Sequence, residues 1–211
     1  MKTEIYLVRH GQSEGNLRDL FLGHADLDLT PLGQKQAEMA ASYLEGVSVD
    51  KIYASDLKRA YHTSLPLAKE KGLSVIKTPR LREIYAGLWE GLPVSELREK
   101  FPESHHTWWY DTGLARPDGG ESVGELQERV LSFVKEVAEE NAGKTICLFT
   151  HFTPIYALKT AWSGVPLSEM KNMPKPQNAS VTHVVYENGK FEILEYAYNG
   201  YLGDLKSDFA G

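Results

Sequence analysis

Short apolar runs that alternate with amphipathic stretches constrain the fold of this chain more than any other feature. The runs IYLV (5–8), KIYAS (51–55) and TICLFT (145–150) are rich in β-branched and aromatic residues, which is typical of buried strands. Patterns with the period of a helix lie between them. This alternation predicts an α/β fold, a three-layer α/β/α arrangement around a mainly parallel sheet.

Capping residues mark three helices. Thr30 and Pro31 form a favourable N-cap and first helical residue. A second helix follows Asp56 and contains Pro66, which should kink or shorten it. The third, ESVGELQERVLSFVKEVAEENAG (121–143), opens with a capping box and carries a regular apolar stripe. The apolar face of the second helix is expected to consist of Leu57, Ala60, Tyr61, Leu65 and Ala68.

The end of the chain predicts a hairpin, which makes the sheet mixed. In NASVTHVVYENGKFEILEY, two strand-like runs flank Asn188-Gly189, the dipeptide that best fits a two-residue hairpin turn. Its strands must run in opposite directions, so we expect an antiparallel part beside the parallel one.

Length and organisation favour one domain with an insertion. The chain has 211 residues and no internal repeat, so residues 1–211 are predicted to form a single domain. Residues from about 84 to 120 are aromatic and punctuated by glycine and proline, and they are too many for a tight connection. We expect an insertion that caps a site. Its large aromatic residues either pack the insertion onto the domain or form an apolar wall for a substrate: Trp89, Trp108, Trp109 and Tyr110.

Composition and charge exclude several classes of protein. With 42% hydrophobic and 25% charged residues the chain is an ordinary folded protein, and its formal net charge of −6 offers no cationic surface for nucleic acid. No apolar run approaches the roughly 18 residues that cross a bilayer, and IYLV is too short for a signal peptide. We therefore expect a cytoplasmic protein without a nucleic-acid or membrane partner. The one cysteine, Cys147, is expected to be a buried, unreactive thiol.

Two predicted strands end in a histidine, which suggests a shared site. LVRHG ends at His10 and LFTH ends at His151. In open α/β sheets, ligands gather beyond the carboxyl ends of the strands. Thr153-Pro154 follows His151 and predicts a helix N-terminus there, which favours an anion.

Cationic and neutral donors accompany these histidines. Arg9 precedes His10, Arg59 lies in the first turn after the strand KIYAS, and Asn16 offers a neutral donor. With His151, these residues would surround a small group that carries two negative charges. A phosphoryl group fits best, because arginine offers a rigid fork of donors to phosphate oxygens.

Each of these residues also has a structural interpretation. A single histidine at a strand end is usually hydrogen-bonded within the fold. Arg9 and Arg59 could pair with a carboxylate such as Asp56, and Asn16 could cap or turn the chain. Neither a metal nor a cofactor is expected, because the histidines lack further ligands at metal-binding spacing and nearby arginines would repel a cation. The joint placement of the two histidines and the two arginines at strand ends favours the phosphoryl site.

The same residues resemble the histidine phosphatase superfamily, also called the phosphoglycerate mutase-like family, whose hallmark is an Arg-His-Gly triplet after the first strand. LVRHGQSEGN matches that triplet and its surroundings. The resemblance continues in order through GHADLDLTPLGQKQA, YASDLKRAYHT, LREIYAGLWEG and PDGGES to the strand-end His151. It covers nearly the whole chain and implies a phosphoglycerate mutase-like fold.

The resemblance implies a role for each strand-end residue. His10 would be the nucleophile that is transiently phosphorylated, with one ring nitrogen kept unprotonated by a hydrogen bond from the other to a backbone carbonyl. Arg9, Asn16, Arg59 and His151 would hold the phosphoryl oxygens. We expect His151 to stay protonated and to add positive charge.

The resemblance also assigns residues that the pattern alone would not select. Glu83 would be the acid that protonates the leaving alkoxide, whereas its neighbours suggest only a surface side chain or an ion pair with Arg80 or Arg82. The remaining expected phosphate contacts are Gly11, the backbone at Gly23 and Thr153. Thr153 has the alternative role of a helix cap.

Departures from the mutase pattern favour hydrolysis over transfer. The phosphoglycerate mutases of the family follow the acid glutamate with Arg-His-Tyr-Gly and carry two adjacent arginines in a longer insertion. Here IYAG follows Glu83, and the insertion offers Arg98 and Arg116 singly. We therefore expect a metal-independent phosphomonoester hydrolase, of the histidine acid phosphatase type, that acts on a small phosphorylated metabolite.

Two other functions are left open by the residues. One is a phosphoglycerate mutase that interconverts 2- and 3-phosphoglycerate, and the other is a phosphate-binding regulatory module without turnover. The sequence also leaves the oligomeric state open, with a homodimer among the alternatives.

Overall fold

The structure, a computed structural model, describes residues 1–207; residues 208–211 of the predicted domain lie outside the described residues. Its strands in chain order are β1 (Thr3–Arg9), β2 (Leu20–Phe21), β3 (Lys51–Ser55), β4 (Val75–Thr78), β5 (Leu92–Pro93), β6 (Thr145–Thr150), β7 (Val181–Glu187) and β8 (Lys190–Tyr198). Its α-helices are α1 (Glu14–Leu17), α2 (Pro31–Tyr43), α3 (Lys58–Lys71), α4 (Val94–Lys100), α5 (Pro102–Tyr110), α6 (Val123–Glu140) and α7 (Phe152–Trp162).

The main sheet has the strand order β4-β3-β6-β1-β7-β8. The first four of these strands are mutually parallel. At the end of the sheet, β7 pairs antiparallel with β1, and β8 pairs antiparallel with β7. The hairpin between β7 and β8 turns at Asn188 and Gly189, whose φ angles of 53° and 79° are those of a turn that matches the strand twist. The predicted mixed, mainly parallel sheet is confirmed.

Helices cover both faces of the sheet, as the alternation of strands and helices predicts. Along β6, Ile146 and Leu148 pack into a core with α6 and α7, while Cys147 and Phe149 pack into a second core with α2 and α3. Because successive side chains of a strand point to opposite faces, this alternation defines three layers. Cys147 is fully buried, as predicted, and burial raises the pKa of its thiol to about 12.

Helices α2 and α6 start at their predicted caps. Thr30 accepts the amide of Gly33 at 3.0 Å, and Ser122 exchanges the two hydrogen bonds of a capping box with Glu125. Helix α6 buries the predicted apolar stripe against the sheet.

Helix α3 departs from the prediction in length and in face. It continues through Pro66 to Lys71 rather than ending early. Leu65 is 38% exposed, whereas the small polar residues Thr63 and Ser64 are buried. Their hydroxyls bond to carbonyls of the same helix, which allows a polar face to turn inward.

The insertion is more regular than the sequence suggests. It contains α4 and α5, and its strand β5 pairs antiparallel with β2. Within the insertion, Trp89 is fully buried, and Asp118 accepts hydrogen bonds from Trp89 Nε1 at 3.2 Å and from Ser104 Oγ. These contacts hold the parts of the insertion together, and the pairing of β5 with β2 joins it to the rest of the domain.

Strand β4 was not predicted, and helix α7 begins at a different residue from the one predicted. Strand β4 is a short edge strand, and its partly exposed residues give no clear apolar run. Helix α7 begins at Phe152 with His151 as its N-cap, not at Thr153. Among residues 1–207, no helix is both long and apolar enough to span a lipid bilayer.

Candidate active site

The two strand-end histidines lie side by side at the carboxyl edge of the sheet. Strands β1 and β6 are adjacent and parallel, with Arg9 opposite Thr150, so the residues that follow them are brought together. The ring centroids of His10 and His151 are 5.1 Å apart, and the rings meet edge to face. Both side chains are buried.

His10 offers an unprotonated ring nitrogen to a cleft. Its Nδ1 lies 2.7 Å from the carbonyl oxygen of Gly11. A carbonyl can only accept, so Nδ1 carries the proton and Nε2 keeps its lone pair. Burial, followed by the charges of Arg59 and Arg9, holds the pKa of His10 well below its ordinary value of 6.5. The ring is therefore neutral at pH 7, as nucleophilic attack requires.

His151 is neutral as well, which differs from the expected protonated form. Burial and then the charges of Arg59, His10 and Arg9 hold the pKa of His151 well below 6.5. Its Nε2 lies 2.8 Å from Ser55 Oγ, while its buried Nδ1 has no hydrogen-bond partner among residues 1–207. A buried polar atom without a partner is unusual in a folded protein.

Arg9 and Arg59 bring two positive charges to a place that water scarcely reaches. Their side chains are 2% and 1% exposed. Burial lowers the pKa of each guanidinium to about 10, and the charge of Glu83 opposes that shift. Both remain protonated at neutral pH, so the site attracts an anion.

The backbone aims Arg59 into the site. Its terminal nitrogens donate to the carbonyls of Ala25 and Gly23, each at 2.8 Å, and its buried Nε has no partner within residues 1–207. Asp56, the alternative partner considered from the sequence, instead accepts two hydrogen bonds from Arg82 at 2.6 and 2.7 Å.

Glu83 lies in the wall of the cleft rather than on an exposed surface. Arg80 and Arg82 are paired with other carboxylates, so neither forms the alternative ion pair with it. The backbone amides of Ile84 and Thr153 donate to Glu83 Oε1 at 2.9 and 3.2 Å. These amides fix the carboxyl group close to both arginines.

Asn16 has a fixed orientation. Its Oδ1 accepts from the amide and the hydroxyl of Ser13, both at 3.0 Å, and from Asn178 Nδ2 at 3.2 Å. Because the oxygen is fully engaged, the amide nitrogen is the group left to face a ligand. Asn16 lines the cleft, as its predicted role requires.

Gly11 does not line the cleft, contrary to its expected phosphate contact. Its amide donates to Thr63 Oγ1 at 3.1 Å, and its carbonyl accepts from His10. A Cβ at this position would lie 2.5 Å from the carbonyl oxygen of Gly33. Glycine is required here by close backbone packing, and it orients His10.

Gly23 and Thr153 line the cleft. Gly23 has a φ of +51°, and a Cβ there would lie 2.5 Å from the Cβ of Ala86. Thr153 is the second residue of α7, and its amide is directed at Glu83. The helix N-terminus therefore holds the candidate acid.

The cleft has a polar end and an apolar end within about 880 Å³ of empty space. The polar end consists of Arg9, His10, Asn16, Gly23, Arg59, Glu83 and Thr153. The other wall is mostly apolar and consists of Leu20, Phe21, Leu22, Ile84, Val94, Trp108, Trp109, Phe152 and Tyr156, with Thr112 and Lys175. His151 lies behind His10 and is fully buried.

The aromatic residues of the insertion divide between the two predicted roles. Trp89 packs in a small core within the insertion, against which Phe21 also packs. Trp108 and Trp109 line the cleft, while Tyr110 is 62% exposed and lies outside it.

Several residues of the site were missed by sequence analysis. Ser55 ends β3 and could have been found by the same strand-end argument as the histidines. Asn178 bonds to both Asn16 and the carbonyl of His10, and Lys175 lines the cleft. Both lie in an irregular segment that gives no local signal.

Arg129 of α6 also supports the site from outside it. Its guanidinium donates to the carbonyls of Arg80, Arg82 and Glu83 at 2.9, 3.2 and 3.3 Å. The same group forms two hydrogen bonds with Glu121, at 2.9 and 2.8 Å. Arg129 thus holds the backbone around Glu83, the candidate acid, in place.

Comparison with known proteins agrees with this geometry. Phosphoserine phosphatase 1 of Hydrogenobacter thermophilus is 36% identical over 203 residues, which is 96% of each chain. The 2,3-bisphosphoglycerate-dependent phosphoglycerate mutase of Cytophaga hutchinsonii is 30% identical, over 92% of this chain and 87% of its own. The solved structure of a mycobacterial glucosyl-3-phosphoglycerate phosphatase matches with a TM-score of 0.84 and 29% identity, over 94% of this chain and all of that one. Residues 5–199 match the family model of the histidine phosphatase superfamily (branch 1), so the chain belongs to that superfamily, and its relatives support a phosphatase.

Proposed function

We propose that this protein is a metal-independent phosphomonoester hydrolase that acts on a small phosphorylated metabolite through a phosphohistidine at His10. One observation carries the proposal. A neutral imidazole with a free Nε2 faces a cleft between two buried, protonated arginines, and a carboxyl group lies in the same wall. Such a site supplies a nucleophile, a binding place for a dianion and an acid.

In the first step, Nε2 of His10 attacks phosphorus and the bond to the ester oxygen breaks. Glu83 gives its proton to the departing oxygen, so the product is a neutral alcohol. The arginines and the amide nitrogen of Asn16 hold the phosphoryl oxygens, with charge-assisted hydrogen bonds that are already oriented.

In the second step, water attacks the phosphohistidine and the bond between phosphorus and Nε2 breaks. The Glu83 carboxylate takes the proton from that water, and His10 returns to its neutral form. The hydrogen bond from Nδ1 to Gly11 keeps the ring in place through both steps.

Hydrolysis is supported over the mutase alternative by the insertion. The phosphoglycerate mutases that this chain resembles carry two adjacent arginines in the insertion for the substrate carboxylate, and this chain has no such pair. Arg98 does not line the cleft, and Arg116 is paired with Glu125 at 2.5 Å outside it. Phosphoserine and glucosyl-3-phosphoglycerate, after which two of these relatives are named, are substrate candidates for this chain. A cytoplasmic location and a homodimer stay predictions.

Hydrolysis of p-nitrophenyl phosphate in the presence of EDTA tests the proposal. We expect phosphate release, and rapid acid-free quenching is expected to trap an acid-labile phosphoprotein. Faster interconversion of 2- and 3-phosphoglycerate than phosphate release would support the mutase. No release and no phosphoprotein at any pH between 5 and 8 would favour a binding module.

Arg129→Lys is expected to weaken acid catalysis without entering the cleft. Lysine lacks the planar fork that reaches three carbonyls and Glu121 together, so the Glu83 backbone loses its clamp. We expect kcat to fall roughly 10- to 100-fold for alkyl phosphates and much less for p-nitrophenyl phosphate, whose leaving group needs little protonation.

Arg98→Lys is the matched control for that variant, because Arg98 is exposed on α4. Circular dichroism and Tm show whether either protein is unfolded. Equal losses with both ester types would contradict a positioning role for Arg129.

A further inference from the structure

The apolar end of the cleft is not used by the phosphoryl chemistry. We call its ring-bearing residues the aromatic wall: Phe21, Trp108, Trp109, Phe152 and Tyr156. They come from three separate parts of the chain, namely β2, α5 and α7. Tyr156 is fully buried, whereas the other four residues are partly exposed, so these four give the cleft an apolar binding surface.

One side of the aromatic wall is rigid. The ring of Phe21 meets that of Trp108 edge to face with centroids 4.9 Å apart, and it meets Trp89 in the same way at 5.1 Å. Trp89 is fully buried and bonds to Asp118. Because the rings are already packed, a ligand does not have to order them on binding.

The other side of the aromatic wall adjoins the phosphoryl site directly. Phe152 and Tyr156 lie one turn apart on α7, immediately after His151, with ring centroids 5.3 Å apart. Tyr156 is fully buried and its hydroxyl donates to the carbonyl of Met173 at 3.1 Å, so its ring is fixed beside that of Phe152. The guanidinium of Arg9 lies 5.2 Å from the centre of the Phe152 ring, where the two ends of the cleft meet.

Polar partners for the alcohol part of a substrate are few, and among the described residues that line the cleft Lys175 is the one cation outside the phosphoryl end. The Thr112 hydroxyl donates to the carbonyl of Trp108 at 2.8 Å. Among the described residues that line the cleft, Glu83 is the one carboxylate, and it is engaged at the phosphoryl end. An ammonium group, such as that of phosphoserine, would enter the apolar end without a carboxylate partner. Burying an unpaired charge is costly.

From these contacts we propose that the preferred substrates are phosphate monoesters whose alcohol part carries an apolar body about the size of an aromatic ring. This inference rests on the proposed hydrolase function and deepens it. The phosphoryl group would occupy the polar end, and the apolar body would lie against the aromatic wall.

The test compares 2-phenylethyl phosphate with ethyl phosphate. Both are esters of primary alcohols of similar acidity, so the chemical step is matched and the ring is the difference. A single methylene in an apolar pocket changes kcat/KM roughly 10- to 200-fold, so we expect the ring to raise kcat/KM by about 100-fold. O-phosphoserine is expected to resemble ethyl phosphate or to be worse.

Trp109→Ala tests which residues give that preference. Trp109 stacks on His105 with centroids 4.2 Å apart and is only partly buried, so its removal should not unfold the domain. We expect the ratio of kcat/KM between the two alkyl esters to fall at least about 5-fold. Tyr110→Ala is the control on the same helix, since Tyr110 lies outside the cleft, and it should leave the ratio unchanged.

The two proposals fail in different ways. A wild-type ratio near one, or a preference for phosphoserine, with normal phosphate release and a trapped phosphoprotein would overturn the substrate inference alone. Failure to hydrolyse every ester would overturn the hydrolase function itself. If the Trp109→Ala protein is unfolded, the substrate inference is decided by the wild-type ratio of kcat/KM between 2-phenylethyl phosphate and ethyl phosphate.

Discussion

Replacing His10 with alanine reduces kcat/KM for every phosphate ester by roughly 10⁴-fold or more, because the nucleophile is lost while its surroundings remain. Among residues 1–207, His10 is the one histidine that lines the cleft. The neighbouring His151 has Nε2 bonded to Ser55 and lies behind the cleft wall. The measurement is steady-state phosphate release together with the yield of acid-labile phosphoprotein, and both should disappear.

Anion binding should survive in the same variant, and this separates loss of chemistry from loss of structure. Arg9 and Arg59 are held by the carbonyls of Pro176, Gly23 and Ala25, none of which involves His10. Inorganic phosphate is therefore expected to raise the Tm of the alanine variant and of the wild type alike. His106→Ala, on the exposed side of α5, serves as the control with normal activity. Near-normal turnover by the His10 variant would refute covalent catalysis at this residue.

Substituting Glu83 with glutamine gives the second large effect, and its size depends on the leaving group. Glutamine keeps an oxygen that can accept from the amides of Ile84 and Thr153, so the side chain should keep its place. It cannot give a proton to the departing oxygen. We expect kcat/KM to fall roughly 10²- to 10⁴-fold for alkyl phosphates and far less for p-nitrophenyl phosphate.

The informative measurement for that variant is the slope of log kcat/KM against the pKa of the leaving alcohol. A steeper dependence than in the wild type is expected, because the uncatalysed departure of a poor leaving group becomes limiting. Glu96→Gln is the matched control, since Glu96 lies on the exposed face of α4 in an ion pair with Lys100. Uniform losses across the series would remove the acid role of Glu83.

Much of this site could be predicted because local sequence and sheet geometry point to the same place. Parallel strands bring their carboxyl ends to one edge, so residues that follow separate apolar runs meet there. His10, Arg9 and His151 are positioned in this way, and Arg59 lies in the first turn after a third strand. Helix α6 was predictable for a similar reason, because its capping box and its apolar stripe agree on the same boundaries.

Side-chain partners, in contrast, were decided by contacts between distant parts of the chain. Arg80 and Arg82 are close to Glu83 in the sequence. In the structure, however, Arg82 binds Asp56 and Arg80 binds Glu136. Local spacing carries no information about those carboxylates, which lie 26 and 56 residues from their partners. The same holds for Arg129, whose clamp on the acid segment joins α6 to residues more than 40 positions earlier.

The sequence by itself determined the layered α/β fold, the family and the cluster of donors at the strand ends, because period, capping and strand order are properties of local segments. Only the tertiary structure decided that Gly11 supports His10 instead of facing a ligand, that both histidines are neutral, and that two of the tryptophans line the cleft while a third packs beneath it. The physical reason is that burial, charge and packing depend on which segments fold over one another, and a single strand or helix does not contain that information.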